Sequence, residues 1–480
     1  MIFWLLFTCT VGVLFYLHHA KIRRYPPGPL SLPIVGTVDT LINGGKAGIL
    51  AEQKYYKYGP MMSFFVGSST VFVIINDFQL AKDLFLRDEF SGRLKTWWHQ
   101  NVRGNQGRNL GIINTDGTVW TEQRRFALKQ LRDLGFGRKS LDSIMIEEVD
   151  VLIDQLDGLT SMDSTFNTPI INVLWQIVAS KRFDPQEPRT KKLMGLLNMQ
   201  FKHGLNRLAF FPLLGKILPY NAIDKSLFEL KQMMRQLIHE HMHSIDLDNP
   251  RDFIDVYLKE IQSNPKPSHN FDIEQLIVIC LDFFQAGAET TSTTLLWAVM
   301  LMALYPKVQQ KCQKEIDEIL GGSRLPTIDD MPKLVYVMAT LMEIQRFSKV
   351  APGSLPHMLI QDVQVMQYKF KKGTIFISNL TKFLNDPIIF PNPEEFIVER
   401  FLEDGKLKKY EEFVPFGIGK RICMGESLAK NELFIFFVRT LQRLNFKVAE
   451  GLKPNPQKYT AGITRIPDPY YVHISKRSEI

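Results

Sequence analysis

The sequence predicts a mainly α-helical fold with small β-sheets, of the α+β class, behind an N-terminal membrane anchor. Three observations predict it. The first 17 residues carry no charged side chain. Asp272 to Tyr305 has helical periodicity with no proline before Pro306. The chain is 45% hydrophobic and 22% charged, which is typical of a globular protein and excludes a disordered or collagen-like one.

The membrane anchor is assigned to residues 1–20. Its apolar run ends before a basic cluster of Lys21, Arg23 and Arg24. A spanning helix needs about 20 apolar residues, with about 17 as the lower limit, and the thin endoplasmic reticulum bilayer suits a short one. Because basic residues stay on the cytoplasmic side, we expect the rest of the chain to face the cytoplasm. A cleaved signal peptide would need a basic start and a small-residue cleavage site, and neither is present.

A basic and proline-rich linker, residues 21–30, follows the anchor and contains Pro26-Pro27-Gly28-Pro29. Proline excludes a regular helix there, so the linker should act as a stiff spacer. Beyond it the sequence has no internal repeat and no second composition regime. Residues 31–480 are therefore expected to form one large domain.

That domain should open with a β-hairpin. Met61 to Val66 and Thr70 to Ile75 are rich in β-forming residues and flank Gly67-Ser68-Ser69. Helical patterns dominate the chain after it, with short strands scattered among them.

The net charge of +8 and the four cysteines limit the partners and the compartment. A basic chain favours acidic surfaces, such as membrane headgroups or an acidic protein. No run of Lys and Arg interleaved with aromatic residues indicates nucleic acid, so we expect no nucleic-acid partner. Cys9, Cys280, Cys312 and Cys423 are scattered and show no disulfide spacing, which suits a reducing compartment.

The stretch with the clearest chemistry is the glycine-rich loop from Phe416 to Gly425. It places Cys423 beside two cations, Lys420 and Arg421, just before an amphipathic helix. Nearby cations and a helix N-terminus favour the thiolate, which is the form of cysteine that binds metal. A lone cysteine cannot complete a structural zinc site, which needs four ligands, but it can bind a haem iron.

The spacing of Phe416, Gly419, Arg421, Cys423 and Gly425 resembles the haem-thiolate signature of the cytochrome P450 family. The resemblance implies that haem b lies between a long central helix and the helix after the cysteine loop. It makes Cys423 the axial ligand of the haem iron, with Phe416 and Arg421 in the cofactor site. The alternative is a buried cysteine that only fills a loop, the commoner role for a lone cysteine.

Three further residues match the family's haem contacts. Trp120 and Arg124 lie at i, i+4 and resemble the pair that binds a haem propionate, for which the Arg fork is suited. An exposed cation–π pair is the alternative. His357 matches another propionate partner, although a lone histidine is more often a core residue. The predicted helix that contains Trp120 and Arg124 also carries Arg125, Lys129 and Arg132. It is therefore a candidate docking surface for an acidic redox partner.

The middle of the long helical stretch contains Gly287, Glu289 and Thr290. A glycine inside a helix costs about 1 kcal/mol relative to alanine. The resemblance implies that Gly287 opens the helix over the haem so that dioxygen fits, and that Glu289 and Thr290 deliver protons to the bound oxygen. Close helix packing is the alternative, and it explains the glycine but not the acid.

A charged trio should support the haem pocket. Glu343 and Arg346 lie at i, i+3 beside apolar sequence, which indicates burial. They resemble the family's E-x-x-R pair, and the third member maps to Arg400. Val398 occupies a position where the family usually has proline, which leaves the local turn in doubt.

Two other stretches have competing interpretations. The apolar residues 208–219 resemble the family's membrane-facing loop, and core packing is the alternative. His239, Glu240 and His243 fit H-E-x-x-H, the zinc-peptidase motif. No metzincin continuation follows, so a solvated helix end is the alternative.

The resemblance implies a haem-thiolate monooxygenase that inserts one atom of O2 into an apolar small molecule, a lipid, steroid, fatty acid or xenobiotic, by hydroxylation or epoxidation. No dinucleotide motif is present, because Ile422 follows Gly417 and Gly419 where G-x-G-x-x-G needs glycine. NADPH would therefore act indirectly through NADPH-cytochrome P450 reductase, with a microsomal cytochrome b as a further donor. The alternatives are a haem-thiolate isomerase or dehydratase, a non-catalytic haem protein, and the zinc peptidase.

Overall fold

The computed structural model describes residues 1–38, 53–67, 70–136, 141–203, 220–263 and 270–477. The predicted apolar loop, residues 208–219, lies outside the described residues. The helices are Ile2–Ile22 (α1), Phe78–Phe85 (α2), Gly117–Asp133 (α3), Asp142–Gln155 (α4), Asn167–Ala179 (α5), Pro188–His203 (α6), Ala222–Ser244 (α7), Phe253–Ser263 (α8), Ile273–Leu304 (α9), Pro306–Leu320 (α10), Val335–Ser348 (α11), Leu380–Leu384 (α12) and Glu426–Arg443 (α13).

The strands are short and form small sheets. They are Ser31–Leu32 (β1), Gly36–Thr37 (β2), Met61–Val66 (β3), Thr70–Ile75 (β4), Gly158–Ser161 (β5), His357–Met358 (β6), Val363–Val365 (β7), Tyr368–Phe370 (β8), Ile375–Ser378 (β9), Leu402–Glu403 (β10), Lys406–Leu407 (β11), Leu444–Val448 (β12), Tyr459–Ala461 (β13), Arg465–Pro467 (β14) and Tyr471–Lys476 (β15). The predicted mainly α fold with small sheets is confirmed.

The largest sheet has six strands in the order β1-β2-β3-β4-β9-β6. The predicted hairpin is confirmed, since β3 pairs antiparallel with β4 from Met61 opposite Ile75 to Val66 opposite Thr70. Strand β9 pairs parallel with β4 on one side and antiparallel with β6 on the other side. In this sheet, His357 of β6 lies opposite Phe376 of β9. Both residues are far in sequence from the β3–β4 hairpin.

Helix α9 is the centre of the fold, and its predicted extent is confirmed. The carboxylate of Asp272 accepts a hydrogen bond from the amide of Gln275 at 2.8 Å and so caps the first turn. Nearly every side chain from Gln275 to Ala303 is buried, because the helix is apolar on all faces and packs against α5, α7, α11 and α13. The helix ends at Leu304, and Pro306 starts α10.

Helix α1 is exposed along its apolar length, with Trp4 67% and Phe7 53% accessible. It is long and apolar enough to cross a membrane. The helix continues through Ile22, two residues beyond the predicted anchor. The proline-rich linker then lies against β3, where the amide of Ser63 donates to the carbonyl of Pro27 at 3.1 Å. This linker is therefore attached to the sheet.

In the charged trio, Glu343 and Arg346 near the end of α11 are completely buried, and the Arg400 side chain is 6% exposed. Arg346 donates to both oxygens of Glu343, at 2.7 and 2.8 Å, and Arg400 donates to the same carboxylate at 3.2 Å. The amide of Ile397 adds a fourth bond at 2.9 Å. Val398, where proline was expected, lies in a short 3-10 helix, Val398–Phe401, that carries Arg400 to the carboxylate. The trio joins α11 to the segment before the cysteine loop.

Replacing Glu343 with Gln should lower the free energy of unfolding by about 3–5 kcal/mol, because Arg346 would remain buried without its counter-charge. Urea unfolding followed by tryptophan fluorescence measures this change. Glu399→Gln is the matched control, since its partner Lys311 is exposed and such pairs contribute about 0–1 kcal/mol. Equal losses in the two variants would contradict a supporting role for the trio.

Candidate active site

The cysteine loop is held in a shape that depends on two glycines. Gly417 and Gly419 have φ of 82° and 76°, in the left-handed region that favours glycine. A Cβ on Gly419 would lie 2.3 Å from the carbonyl oxygen of Phe85 in α2, so the loop backbone packs directly on that helix. The amide of Cys423 donates to the carbonyl of Phe416 at 3.1 Å, which closes the loop before α13 begins.

Cys423 differs from the other cysteines in its accessibility. Cys280 and Cys312 are fully buried, and Cys9 lies in α1. Among the described residues after α1, Cys423 is therefore the cysteine whose thiol is accessible. Surrounding protein still removes enough water that burial raises the pKa of Cys423, with the Gly425 amide and Arg124 acting in the opposite direction. The protein alone therefore does not favour the thiolate, whereas a bound metal cation would.

Four cationic or polar groups lie around the loop. The guanidinium of Arg421 sits 3.8 Å from the centre of the Trp120 ring. Arg124 donates to the carbonyl of Ile422 at 2.8 Å, beside Cys423. Arg93, which sequence reasoning missed, donates to the carbonyls of Ile113 and Pro356. These contacts bring Trp120, Arg124 and Arg421 together beside Cys423.

Among the described residues, the arginines carry more charge than the nearby carboxylate of Asp116 can balance. Burial, followed by the charge of Arg93, lowers the pKa of Arg421 to about 8; Asp116 opposes this shift and Arg124 adds to it. Burial, then Arg124, lowers the pKa of Arg93 to about 10. Asp116 also pairs with Lys95 at 2.9 Å. Arg93 and Arg421 thus share one carboxylate that already has a lysine partner.

His357 borders the same cluster. Its Nδ1 lies 2.8 Å from the carbonyl oxygen of Phe90, and its ring packs 4.3 Å from the ring of Phe85. Burial, followed by the charge of Arg93, holds its pKa well below the usual range, with Arg421 adding a smaller effect. The imidazole is therefore neutral beside the arginines.

The residues around Cys423 fit haem. The Nε1 of Trp120 is buried and has no hydrogen-bond partner among the described residues. An unpartnered indole N–H next to uncompensated arginines suits a group with two carboxylates, and haem has two propionates. The accessible thiol of Cys423 would be available to bind the haem iron.

Helix α9 presents a small accessible patch within an otherwise buried helix. Ala286 is exposed and Gly287 and Thr290 are partly accessible, whereas Glu289 is only 4% exposed. The hydroxyl of Thr290 donates to the carbonyl of Ala286 at 2.9 Å. The hydroxyl of Thr293 lies 3.4 Å from the carboxylate of Glu289. The alcohol is thus at the accessible patch, and the acid lies behind it.

Gly287 has a packing role in this structure. A Cβ there would lie 2.5 Å from Cδ2 of Leu174 in α5. The helix runs from Ile273 to Leu304 without a break at this point. The contact with Leu174 therefore supports close helix packing, one of the two interpretations of Gly287. The role of Gly287 toward dioxygen stays a prediction.

Residues 26–474 match the model of the cytochrome P450 family. The chain belongs to the cytochrome P450 family. The family resemblance found in the sequence is confirmed, and the chain is a P450 monooxygenase by its family, a class that holds haem iron.

Several mammalian P450s are similar to this one along most of their length. Rat cytochrome P450 2J3 is 35% identical over 445 residues, covering 90% of this chain and 88% of the relative. Human cytochrome P450 2C8 is 35% identical over 466 residues, 94% of each chain. Bovine cytochrome P450 2U1 is 33% identical over 498 residues, 95% of this chain and 90% of the relative.

The H-E-x-x-H sequence of this P450 lies at the C-terminal end of α7. His239 and His243 are exposed, and their Nε2 atoms are 3.3 Å apart. Glu240 forms an ion pair with Lys181. The arrangement is that of a solvated helix end, the alternative weighed for this motif. Membership of the cytochrome P450 family also argues against the zinc-peptidase hypothesis.

The residue between them, His241, is buried and joins α7 to the start of α8. Its Nε2 lies 3.0 Å from Asp252, and its Nδ1 lies 2.9 Å from the carbonyl oxygen of Leu237. Asp255 is close by, but it receives two hydrogen bonds from Arg251. These hydrogen bonds explain why His241, Asp252 and Asp255 lie close together without requiring a metal ion. Sequence reasoning missed this pair, because only the fold brings Asp252 to His241.

The His241–Asp252 pair should make stability depend on pH. Burial lowers the pKa of His241, but the hydrogen bonds with Asp252 and Leu237 outweigh it, so the net shift is upward. A raised folded pKa stabilises the protein fully below the unfolded value of about 6.5, and this contribution is lost as pH rises through the folded value. The excess stability of wild type over His241→Gln should therefore shrink from pH 6 to pH 8, as measured by urea unfolding.

The control for this measurement is His239→Gln, which changes an exposed imidazole two residues away. Its stability difference from wild type should stay flat over the same range. An excess stability over His241→Gln that is constant, or that grows with pH, would show that the buried pair does not hold the proton.

Proposed function

We propose that this P450 inserts one oxygen atom from O2 into an apolar small molecule, by hydroxylation or epoxidation, with electrons from an NADPH-dependent reductase. The observation that carries the proposal is the accessible thiol of Cys423 next to the uncompensated arginines and the unpartnered Trp120 N–H. Haem bound there would supply dioxygen binding and reductive O–O cleavage, which thiolate ligation favours.

The side chains of this site divide the work. Cys423 would hold the iron. The propionates would be held by the N–H donors of Trp120, Arg124 and Arg421, with His357 and the newly found Arg93 beside them. Phe416 accepts the Cys423 amide through its carbonyl and so shapes the loop around the sulfur. These groups bind and orient the cofactor rather than react.

Proton delivery is assigned to Glu289 and Thr290. Thr290 lies at the accessible patch of α9, where its hydroxyl donates to the carbonyl of Ala286. Rotation about its Cβ–Oγ bond would turn that proton toward the space above the cofactor. Glu289 is buried behind it and is the nearest acid in the same turn of the helix. An alcohol in front of an acid suits stepwise proton transfer, which typically contributes about 10²–10⁴-fold to rate. A peroxide isomerase or dehydratase would have no use for this pair.

The substrate side of the site is expected to be apolar. Candidate walls are residues 97–108, 350–355 and 462–464, and a further stretch, residues 201–214, is not described except at its first turn. Leu355 and Ile463 are accessible apolar side chains on two of these walls, 44% and 37% exposed. A lipid, steroid, fatty acid or xenobiotic would fit such a lining.

Electrons are proposed to arrive at the basic face of α3. Arg125, Lys129 and Arg132 are exposed and lie at i, i+4 and i+7, on one side of the helix whose other side carries Arg124. An acidic surface of NADPH-cytochrome P450 reductase, or of a microsomal cytochrome b, would complement this face. The electron path would then end close to Cys423.

We place the protein in the endoplasmic reticulum membrane, with α1 as a single anchor and the catalytic domain, residues 31–480, facing the cytoplasm. Support comes from the exposed apolar surface of α1 and from Lys21, Arg23 and Arg24 at its end. Basic residues favour the cytoplasmic side.

Replacing Thr290 with Ala should lower the product formed per NADPH consumed by about tenfold and raise hydrogen peroxide release, since proton delivery typically contributes at least that much. NADPH oxidation, peroxide and oxidised product are measured together with reductase present. Thr294→Ala is the matched control, because the Thr294 hydroxyl donates to the carbonyl of Thr290 and its side chain is buried, 7% exposed. Unchanged coupling in Thr290→Ala, without added peroxide, would refute the proton-delivery assignment.

A further inference from the structure

Two exposed histidines lie one turn apart at the C-terminal end of α7, and the function proposed above uses neither of them. His239 and His243 occupy positions i and i+4, which share one face of a helix. Both side chains are exposed to solvent. We call them the His239–His243 pair. They are the histidines of the H-E-x-x-H sequence, which is not a peptidase centre but still presents two accessible metal ligands on one helix face.

The two imidazoles converge on one point. Their Nε2 atoms are 3.3 Å apart, whereas the centres of the two rings are 4.4 Å apart. The nitrogens are therefore closer together than the rings that carry them. In the absence of a metal ion, one neutral imidazole donates its N–H and the other accepts it. A metal ion would take the place of that proton, because histidine binds metals through an unprotonated nitrogen.

The separation of the two nitrogens fits a shared metal ion. Zinc–nitrogen bonds are about 2.0–2.1 Å long, and protein zinc sites are usually tetrahedral. Two such bonds at the tetrahedral angle place their nitrogens about 3.3–3.4 Å apart. The Nε2 atoms of His239 and His243 already have this separation. Binding would therefore need only small rotations of the two side chains and no movement of the helix backbone.

The neighbouring side chains leave the His239–His243 pair available. Within the described residues, neither imidazole has a hydrogen-bond partner other than its counterpart. Glu240, between them in sequence, forms an ion pair with Lys181. His241 is buried and faces Asp252. A metal ion would therefore replace a single hydrogen bond between two solvated rings, and it would disturb no other contact of these rings.

The local charges favour a cation at the end of α7. The negative end of the helix dipole lies at its last turn, which favours positive charge there. Residues 239–249 contain the acids Glu240, Asp246 and Asp248 but no lysine or arginine. Arg251, the next cation along the chain, is already paired with a carboxylate. A divalent ion bound by the pair would therefore meet more negative than positive charge along this segment.

A neighbouring group of ligand-type side chains is less suited to a metal ion. His241, Asp252 and Asp255 are buried, and their polar atoms already have partners. The two nitrogens of His241 face Asp252 and the carbonyl of Leu237, and Arg251 donates to both oxygens of Asp255. A metal ion there would have to displace several buried hydrogen bonds, each of which is costly to lose.

We propose that His239 and His243 form a two-histidine site for a divalent transition-metal ion of the zinc, copper and nickel class. Imidazole suits these metals, whereas Mg²⁺ and Ca²⁺ take oxygen ligands. Water completes the coordination. Because the ion bridges successive turns, it also stabilises the last turn of α7, a helix that packs on α6, α8 and α9. The site is independent of the monooxygenase function proposed above.

The test titrates the full-length haem-loaded protein in detergent with Zn²⁺ by isothermal calorimetry. Wild type should bind one equivalent more than the double variant with His239→Gln and His243→Gln. Each single variant should weaken this equivalent at least about tenfold, nearly as much as the double variant, because two ligands of one ion act together. Titration with Mg²⁺ should give no difference between wild type and the double variant, since the site has no oxygen ligand from the protein.

Hydrogen exchange of the backbone amides locates the bound ion. Zn²⁺ should slow the exchange of the amides of residues 241–245 in wild type, because the ion holds the last turn of α7 closed. It should have no such effect in either single variant. His473→Gln is the matched control, since it removes an exposed histidine of β15, and it should bind Zn²⁺ like wild type.

Three results would overturn the proposal. Wild type could bind no more Zn²⁺ than the double variant. Each single variant could keep half of the difference, which would show two independent histidines rather than one shared ion. The extra equivalent could survive in both single variants and be lost in Asp252→Asn, which would place the ion at the buried group instead. Failure of the monooxygenase function would change none of these results, because the calorimetry requires no turnover.

Discussion

Uncompensated positive charge beside one accessible thiol is the constraint on which the rest of the structure depends. Arg124 lowers the pKa of both Arg93 and Arg421, and Asp116, the carboxylate that opposes these shifts among the described residues, already pairs with a lysine. Such an arrangement is costly unless an anion binds there. We propose that the dianionic edge of haem meets this electrostatic need and that Cys423 binds the haem iron.

The fold can be understood as the support for that charge. The loop packs on α2 through a glycine with no space for a side chain, and α13 begins directly after the sulfur. The buried trio of Glu343, Arg346 and Arg400 fixes the segment that leads into the loop. Helix α9 crosses the domain and leaves only a few small residues accessible.

Much of this could be predicted from the sequence, because the signals were local. Helix α9, the β3–β4 hairpin and the spacing of the cysteine loop each lie within a few dozen residues. What could not be predicted depends on contacts between distant segments. Arg93 has an ordinary sequence context, and its position beside Arg421 depends on the packing of distant segments. The contact between Gly287 and Leu174 and the pairing of His241 with Asp252 likewise arise only when the helices pack.

The most direct test of the central claim is the Soret spectrum of the reduced, carbon-monoxide-bound protein for wild type and for Cys423→Ser. The account predicts a thiolate-type absorption in wild type, since sulfur would be bonded to the iron, and its loss when a hydroxyl replaces that sulfur. Cys312→Ser, which changes a buried cysteine, should retain the wild-type spectrum. A thiolate-type spectrum that persists in Cys423→Ser would contradict the assignment of the iron ligand and, with it, the function built on it.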